Sequence, residues 1–284
     1  MINLTKILKP KLALIALSLF LASCGEQSDT ATCNDGVENQ GEMGIDCGGP
    51  CPECELALID IRNDFPEENA QPFGLAFDGE NFWVANNYQG IGTNPIFKYD
   101  ALTGEMRGKI FSPGAWPRNL ICYDTNLCFT DYITEGKMYF ATFSGEILRD
   151  LPIFLQGASY EVSGLAIDDQ SIYEAQSILG WDSASSIYRL DFQTGAILDT
   201  VYQTNKYNIC GLALMEGSLW FISSNLVNSG SGVKLVNISI EGEEISSIPI
   251  DNINPNITGL TCANGAFWTS NLSFKIEKIP IELK

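Results

Sequence analysis

The chain has 284 residues, of which 45% are hydrophobic and 11% aromatic, so it is long and apolar enough to bury a core. Its 35 acidic residues against 16 basic ones give a net charge of −19, which argues against nucleic acid as a partner because phosphate binding needs a basic surface. The absence of histidine excludes Ser-His-Asp and Cys-His catalysis, together with the zinc, copper and haem sites that need histidine ligands.

Residues 1–23 have the pattern of a bacterial export signal. Three lysines precede an apolar run at residues 12–21, and this run is too short to span a membrane as a helix. The sequence then reads Leu-Ala-Ser-Cys up to Cys24, and this ending resembles the lipobox of bacterial lipoproteins. The resemblance implies that Cys24 becomes the first mature residue and carries the acyl chains. The alternative is an ordinary signal peptide with an incidental cysteine.

The lipoprotein resemblance predicts where the protein resides. Loss of residues 1–23 removes three lysines and no acidic residue, which lowers the net charge to −22. Several acyl chains anchor a protein stably, whereas anionic lipid repels so acidic a surface. We therefore expect Cys24 to be anchored in a bacterial membrane, the outer membrane, with residues 24–32 as a polar tether. The remainder is expected to face the periplasm or the cell surface.

Residues 33–54 are predicted to form a small cysteine-rich module. Besides Cys24 there are eight cysteines, an even number that indicates disulfides in an exported protein. The segment has too few apolar residues to fold on a core, so cross-links must hold it. Three pairings are open to its cysteines, which are Cys33, Cys47, Cys51 and Cys54. The spacing C-x-DG-x-x-N…DCGG-x-C-x-x-C resembles a module of surface proteins from environmental bacteria.

The same module offers two kinds of metal site. Around its glycine turns lie hard oxygen ligands of the kind that calcium prefers, on Asp35, Asn39, Glu42 and Asp46. These residues would otherwise make Asx turns. A zinc site built from the four cysteines is the competing interpretation, and export argues against it. Calcium is the one cofactor that the sequence suggests.

From residue 55 onward the chain repeats a unit of about 45 residues, which predicts the architecture. The unit reads GLAFDGENFWVANN, a variable loop, then IFKYDALTGEM, and it returns as GLAIDDQSIYEAQS and GLALMEGSLWFISS. The equivalent positions, spaced by 45, 45, 47 and 48 residues, are Gly74, Asn119, Gly164, Gly211 and Gly259. Each unit holds four short strand-like runs around turn residues, which is the pattern of a β-propeller blade.

The two ends of the repeat region together make up one more blade. Residues 259–284 are too few for a blade, and residues 55–73, with a strand-like LALIDIR, supply the missing length. We therefore expect an all-β fold at residues 55–284, a five-bladed β-propeller closed by its N-terminal strand. A small disulfide-held module precedes it. Closure would hide a sheet edge that otherwise promotes aggregation.

Four cysteines fall within the repeats. Cys122 and Cys128 flank one tight turn on paired strands, which suggests a disulfide across that hairpin. Cys210 and Cys262 begin neighbouring blades and are a second candidate pair, although their positions in the repeat differ by four residues.

One face of the propeller is predicted to gather polar and aromatic groups. Where the second strand of each blade ends, all five residues are polar and should surround one mouth of the central channel: Asn86, Asp131, Gln176, Ser223 and Asn271. The loops on the same side carry Tyr88, Trp116, Arg118, Tyr132, Tyr160, Trp181 and Tyr207. Strand ends are often polar in any protein, so it is the loop aromatics, typical of recognition surfaces, that favour a ligand-binding face.

A catalytic alternative must rest on carboxylates, since histidine is absent. The third unit, with IYEAQS and SIYRLDFQTGAIL, resembles a blade of the plant-type glutaminyl cyclotransferases, which are also five-bladed. The resemblance places Glu174 where that family has a catalytic acid, but the family's other Trp- and Glu-bearing motifs are missing. Asp131 is a second carboxylate near the same face, as a glycan-cleaving pair would require.

The sequence favours a lipid-anchored surface protein whose propeller binds an extracellular glycan or protein without catalysis. The alternative is a histidine-free enzyme that uses Glu174 and Asp131, either glutaminyl-cyclotransferase-like or active on glycans. A third reading is a structural component of a surface complex. The expected partners are the lipid bilayer, through Cys24, and the extracellular ligand.

Overall fold

The structure is a computed structural model that describes residues 33–39, 41–65, 67–87, 94–131, 136–153, 155, 160–178, 184–223 and 232–281, without the side chains of Tyr160 and Ile178. The export signal, Cys24 and the tether lie outside these ranges. Within them, no helix has the length and apolar character needed to cross a membrane. The chain separates into two compact units, Met1–Pro52 and Glu53–Lys284.

The described part of the larger unit is built from short antiparallel strands, with one turn of 3-10 helix at Arg62–Asp64. In chain order the strands are β1 (Ile59–Asp60), β2 (Pro72–Phe77), β3 (Asn81–Asn86), β4 (Pro95–Asp100), β5 (Met106–Phe111), β6 (Pro117–Tyr123), β7 (Asn126–Asp131), β8 (Lys137–Thr142), β9 (Ile147–Pro152), β10 (Tyr160–Ile167), β11 (Ser171–Ile178), β12 (Ser185–Asp191), β13 (Ile197–Thr204), β14 (Ile209–Met215), β15 (Ser218–Ser223), β16 (Lys234–Ser239), β17 (Glu244–Pro249), β18 (Ile257–Ala263), β19 (Ala266–Asn271) and β20 (Lys275–Lys278).

These strands form five four-stranded sheets, the blades of a propeller. Blades 1 to 4 take consecutive strands, β2 to β5, β6 to β9, β10 to β13 and β14 to β17, whereas blade 5 has the order β18-β19-β20-β1. The inner strand of each blade contacts that of the next, and β18 contacts β2, so the ring is closed. The all-β five-bladed fold predicted from the repeat spacing is confirmed.

The N-terminal strand completes the last blade, also as predicted. In the pairing of β1 with β20, Ile59 lies opposite Ile276 and Asp60 lies opposite Lys275. The ammonium of Lys275 is 3.0 Å from Asp60 Oδ2. Ile59 is buried in a core shared by blades 5 and 1. β1 therefore covers the edge of β20, which would otherwise be open to pairing with another chain.

Glycines in four of the five inner strands allow the strands to approach one another at the axis. A Cβ added to Gly164 would lie 2.5 Å from the backbone nitrogen of Leu212, and one added to Gly259 would lie 2.5 Å from that of Leu75. Such distances leave no room for any side chain, so these positions require glycine. The ring encloses a cavity of about 10 Å³, space for one water at most. The central channel is therefore closed at this level.

Asn119 takes the glycine position in blade 2. Its backbone has a φ of +48°, in the left-handed region that asparagine tolerates better than most residues. Its side-chain amide donates to the carbonyl oxygen of Val162 at 2.8 Å and to Thr130 Oγ1 at 3.1 Å. A hydrogen bond from the Asn119 side chain thus joins blade 2 to blade 3 beside the axis.

An aspartate in the first turn of a blade fixes the aromatic side chain of the second strand. Asp78 accepts a hydrogen bond from the indole N–H of Trp83 at 2.7 Å, and Asp168 accepts one from the hydroxyl of Tyr173 at 2.9 Å. Both carboxylates also accept backbone N–H groups of their own turns. The aspartate precedes the aromatic residue by five positions in both repeats, so the sequence alone is enough to predict this local contact.

The hydrophobic core lies mainly in the layers between blades. The second-strand side chains that the repeat alignment assigns to the core are all buried: Trp83, Cys128, Tyr173, Trp220 and Trp268. Trp83 stacks on Phe143 of blade 2 with ring centroids 5.6 Å apart, and Trp220 meets Phe267 of blade 5 at 5.0 Å. These contacts hold each blade against the next.

Glycines in the outer hairpins of blades 2 and 4 allow each of these two blades to pack closely against the preceding blade. A Cβ on Gly145 would lie 3.2 Å from the Cβ of Ile110 in blade 1, which is already a tight contact. At Gly242 in blade 4 a Cβ would overlap the carbonyl oxygen of Val201 in blade 3. The hairpin between β16 and β17 therefore rests directly on β13.

The four cysteines of residues 33–54 are disulfide-bonded, as their spacing predicts. Cys33 and Cys51 are bonded to each other across 18 residues of sequence. Cys47 and Cys54 are disulfide-bonded as well, which gives the N-terminal region two cysteine pairs. The structure thereby chooses among the pairings that the sequence left open.

Cys122 and Cys128 do not form the disulfide that their flanking positions suggest; both are thiols. In the β6–β7 hairpin, Cys122 lies opposite Leu127 and Cys128 lies opposite Ile121. Because successive residues of a strand point to opposite faces, the two sulfurs lie on opposite faces of blade 2. Burial raises the pKa of both thiols, so the reactive thiolate is disfavoured.

The second suggested bridge, Cys210 to Cys262, is also not formed, and both residues are thiols. Gly211 and Gly259 mark the same level of β14 and β18, so Cys210 precedes this level by one residue and Cys262 follows it by three. Four residues of strand span about 13 Å, well beyond the Cα separation of roughly 7 Å that a disulfide tolerates. Cys262 Sγ instead lies 3.1 Å from Met215 Sδ.

Candidate functional site

The five polar residues predicted at the ends of the second strands occupy one register. Asn86 lies opposite Pro72 and Asp131 opposite Pro117, in each case two residues before the axial ring position. The same relation holds in blades 3 to 5 for Gln176, Ser223 and Asn271. None of the five exposes more than 6% of its surface. The shared register predicted by the repeat alignment is therefore present, whereas the place of these residues around a channel mouth stays a prediction. Because all five are buried, their hydrogen bonds indicate what each of them does.

Asp131 holds the connection between blades 1 and 2. Its carboxylate accepts hydrogen bonds from the hydroxyl of Ser112 and from the backbone N–H of Trp116. A Cβ on Gly114 would collide with this carboxylate, so the connecting segment wraps closely around it. The geometry gives Asp131 a structural task, and its role in ligand binding or catalysis stays a prediction.

Asn271 and Asn86, two more of these five residues, differ in how many hydrogen bonds their side chains form. Asn271 donates to Glu277 Oε1 at 2.6 Å and accepts the backbone N–H of Ser273 at 2.9 Å, which closes its own turn. The side-chain oxygen of Asn86 is buried and has no hydrogen-bond partner among the described residues. A buried acceptor without a partner carries a desolvation cost that a bound water or ligand would relieve. The predicted role of Asn86 in ligand binding stays a prediction.

The loop aromatics are only partly within the described residues. Tyr88, Tyr132 and Trp181 lie outside them, and of Tyr160 only the backbone is described. The indole N–H of Trp116 is buried without an acceptor in the described part of the chain. Tyr207 donates its hydroxyl to Glu244 at 3.2 Å.

Arg118 joins three neighbouring blades. Its Nη1 is 2.5 Å from Glu161 Oε2 in blade 3, and its guanidinium lies over the ring of Phe73 in blade 1, 4.5 Å from the centroid. Both members of the ion pair are partly buried. The positive charge that the sequence assigns to ligand binding is therefore balanced by Glu161.

Glu174 occupies a position that is otherwise used for the core. It follows Tyr173 in β11, and the equivalent residues of the other blades are Val84, Phe129, Phe221 and Thr269, each fully buried. Ile172, two residues earlier on the same face of β11, belongs to the core between blades 2 and 3. Blade 3 thus places a carboxyl group where its neighbours place apolar or hydroxyl side chains.

The surroundings of Glu174 favour its protonated form. Only 1% of its surface is exposed, and this burial raises the pKa of Glu174 to about 7. A hydrogen bond from Gln176 Nε2 to Oε1, 2.7 Å long, opposes the shift. Oε2 has no hydrogen-bond partner among the described residues. A carboxyl group with a pKa near neutrality and one uncommitted oxygen can both accept and return a proton.

The sequence analysis names both Glu174 and Gln176 but misses the hydrogen bond between them. The two residues are separated by one position in a strand, so they share a face of β11. Aligning the five blades at the position after Tyr173 also reveals Glu174 as the one acidic residue in that column. The spacing of two residues within one strand and the alignment of the five blades are together enough to find this pair from the sequence.

The calcium ligands predicted in the smaller unit are engaged with the backbone. Asp46 Oδ1 accepts the N–H of Asp35 at 2.7 Å, and Glu42 Oε2 accepts the N–H of Asn39 at 3.1 Å. Asp35 Oδ1 accepts the N–H of Val37, two residues further on, at 2.9 Å, which is the contact of the Asx-turn alternative. Calcium binding here stays a prediction, and thermal unfolding with and without a chelator would test it.

Cys33, Glu42 and Cys51 bring potential metal-ligating atoms within 4.8 Å of one another. The two sulfurs are bonded to each other, so no thiolate is left to ligate a metal at this place. The competing zinc interpretation of the cysteine spacing therefore does not fit the oxidised module.

No protein-family model and no curated protein sequence matches this chain. Two similar solved structures are those of glutaminyl cyclase from Myxococcus xanthus and exo-beta-1,3-galactanase from Phanerochaete chrysosporium. The glutaminyl cyclase superposes with a TM-score of 0.55 and 13% identity over 80% of this chain and 96% of that protein. The galactanase superposes with a TM-score of 0.52 and 12% identity over 73% of this chain and 58% of that one. At such low identity the likeness shows the propeller fold alone.

Proposed function

We propose that the propeller is an enzyme in which Glu174 transfers a proton, and that its reaction is the cyclisation of an N-terminal glutamine. The observation that carries this proposal is the Glu174 carboxyl group, which is buried, has a pKa of about 7 and keeps one oxygen without a partner in the described structure. The likeness in fold to a glutaminyl cyclase supports the choice of reaction.

The chemistry of cyclisation needs such a group. The α-amine nitrogen attacks the side-chain amide carbon, so a C–N bond forms while the bond to the amide nitrogen breaks and ammonia leaves. The amine must lose a proton and the departing nitrogen must gain one. Glu174 in its carboxylate form takes the first proton and in its acid form gives it back, so no net proton is consumed by the enzyme.

Gln176 has the geometry of a positioning residue. Its amide holds Glu174 Oε1 at 2.7 Å, which leaves Oε2 as the oxygen without a hydrogen-bond partner among the described residues. Because this hydrogen bond lowers the pKa of Glu174, it also keeps a larger fraction of the carboxylate form available near neutral pH.

The proposal is tested by incubating the full-length protein with a peptide that begins with glutamine and measuring ammonia release and pyroglutamyl product. We expect activity in the wild type and a loss of at least about 100-fold in Glu174→Gln, the usual scale of general acid–base catalysis. Glu105→Gln, an exposed carboxylate in the outer hairpin of blade 1, is the matched control and should retain full activity. Wild-type protein without activity on any such peptide would refute the proposal.

Ligand binding without catalysis is the second candidate, and one observation favours it. The indole N–H of Trp116 and the side-chain oxygen of Asn86 are a buried donor and a buried acceptor without partners in the described residues. A ligand that supplies the complementary groups would remove both desolvation costs. Binding of an extracellular glycan or protein that is lost in Trp116→Phe and Asn86→Leu, while Glu174→Gln has no effect, would favour this function.

We further propose that Cys24 anchors the protein to the outer membrane through its acyl chains, with the propeller facing the periplasm or the cell surface. The lipobox resemblance supports this location. Metabolic labelling with a palmitate analogue should modify the wild type and not Cys24→Ser, and fractionation should move the variant out of the membrane. Equal labelling of the two proteins would contradict the anchor.

A further inference from the structure

A cleft lies on the flank of the propeller, between blades 3 and 4, and plays no part in the chemistry of Glu174. It has a volume of about 480 Å³ and is lined by polar side chains, chiefly Tyr202, Gln203, Asn205, Lys206 and Glu244. We call it the flank cleft. Its volume falls within the range of small-molecule sites.

The close approach of two blades creates this cleft. Gly242 rests on the carbonyl oxygen of Val201 in β13, a contact that no larger residue permits. Glu244 follows two residues after Gly242 and Tyr202 directly follows Val201, so the contact brings a carboxylate of blade 4 beside a phenol of blade 3. The glycine of the hairpin thus determines that the two side chains meet.

The Glu244 carboxylate is held in place by two phenol groups. Tyr202 donates to its Oε2 at 3.3 Å and Tyr207 donates to its Oε1 at 3.2 Å. Burial raises the pKa of Tyr202 to about 12, so this hydroxyl remains a donor across the physiological range. Both tyrosine rings pack against the buried Phe221, with centroid distances of 5.8 Å. The carboxylate is therefore oriented before any ligand arrives, and each oxygen retains a further acceptor site.

Opposite charges share the flank cleft without pairing. The ion pairs found among the described residues do not include Lys206 or Glu244. Gln203, Asn205 and Lys206 are exposed along one wall. The cleft thus presents an acceptor in Glu244, a cationic donor in Lys206 and amide groups that do both, with a formal charge of zero overall.

We propose that the flank cleft binds a neutral saccharide. A sugar hydroxyl both donates and accepts hydrogen bonds, so neighbouring hydroxyls can donate to Glu244 and accept from Lys206. Amide side chains match vicinal hydroxyls, and a tyrosine offers an apolar surface to the C–H face of a sugar ring. An anionic ligand would meet the Glu244 carboxylate, and a cationic one would meet the Lys206 ammonium.

The test is a screen of the full-length protein against an array of neutral gluco-, galacto-, manno- and xylo-oligosaccharides, followed by calorimetry with the strongest hit. Glu244→Gln keeps the shape of the side chain but weakens its acceptor, and Lys206→Met removes the ammonium. Glu243→Gln is the matched control, because it makes the same change one residue earlier in the same hairpin.

We expect the wild type to bind a neutral oligosaccharide, Glu244→Gln and Lys206→Met to weaken binding at least about tenfold, and Glu243→Gln to bind as the wild type does. Absence of binding to every neutral oligosaccharide, or binding that neither variant changes, would overturn the proposal. The outcome is independent of Glu174, since Glu174→Gln should leave the affinity of the flank cleft unchanged. Equal unfolding temperatures of the variants would show that the loss is local.

Discussion

At the scale of single residues, Glu174 is the side chain that departs most clearly from the pattern of the fold. Four blades fill its position with Val, Phe, Phe or Thr, whereas blade 3 places a carboxyl group there. Burying an ionisable group costs stability unless it is neutral or well partnered. Its single described hydrogen bond, from Gln176, compensates only one of its two oxygens.

The free-energy cost of burying the Glu174 carboxylate predicts that the stability difference between the wild type and Glu174→Gln depends on pH. Its pKa in the folded protein, about 7, exceeds the ordinary value of 4.5, so between these values the folded state binds more protons and loses stability as pH rises. We expect Glu174→Gln to unfold at nearly the same temperature as the wild type at pH 4.5. At pH 8 the variant should be more stable, by up to about 3 kcal/mol. Differential scanning calorimetry measures this difference, and one that does not grow with pH would contradict the assignment.

Residue-level features differ in how far the sequence predicts them. The aspartate-to-aromatic contacts of Asp78 and Asp168 are local and can be read from spacing. The Cys122–Cys128 bridge is wrongly suggested by the sequence because closeness along a hairpin does not reveal which face each side chain takes. The role of Asp131 depends on a connecting segment that folds back over it, and no spacing rule reports such a contact.

At the scale of elements, the inner strands determine how the blades fit together. Each inner strand carries a Gly-Leu pair at the axis, or Asn-Leu in blade 2, and the regular spacing of these pairs along the chain is enough to predict the number of blades. The flank cleft is different. It depends on a contact between β13 and the hairpin before β17, more than 40 residues apart, so it could not be found from either segment alone.

Replacing an axial glycine should destabilise the propeller. A Cβ in Gly164→Ala would lie 2.5 Å from the backbone nitrogen of Leu212, and the strands must separate to admit it. We expect a loss of about 1–3 kcal/mol, the usual cost of overpacking. Gly232→Ala is the control, because nothing lies within 4 Å of its added Cβ. Urea unfolding measures both, and equal midpoints would contradict the tight packing at the axis.

At the scale of the whole molecule, the oxidation state of the cysteines differs between two regions of the chain. The four cysteines of the N-terminal region are disulfide-bonded, whereas the four cysteines within the blades are thiols. The small module has little apolar surface and depends on cross-links. The propeller is held by its inter-blade core and by the pairing of β1 with β20, so it does not need them.

A thiol count on the mature protein tests this division. In denaturant without reductant, we expect four reactive thiols, because Cys122, Cys128, Cys210 and Cys262 become accessible on unfolding. After reduction, eight should react, with Cys24 blocked by its acyl group. In the native protein Cys128 should be silent, since it is fully buried. A count of zero thiols before reduction would contradict this expectation and would indicate that both suggested disulfides within the blades are formed.

The closure of the channel at the axial glycines makes the two faces of the propeller separate compartments. A polymer cannot be threaded from one face to the other through a space of about 10 Å³. A molecule that binds at either face must therefore leave from the face at which it entered.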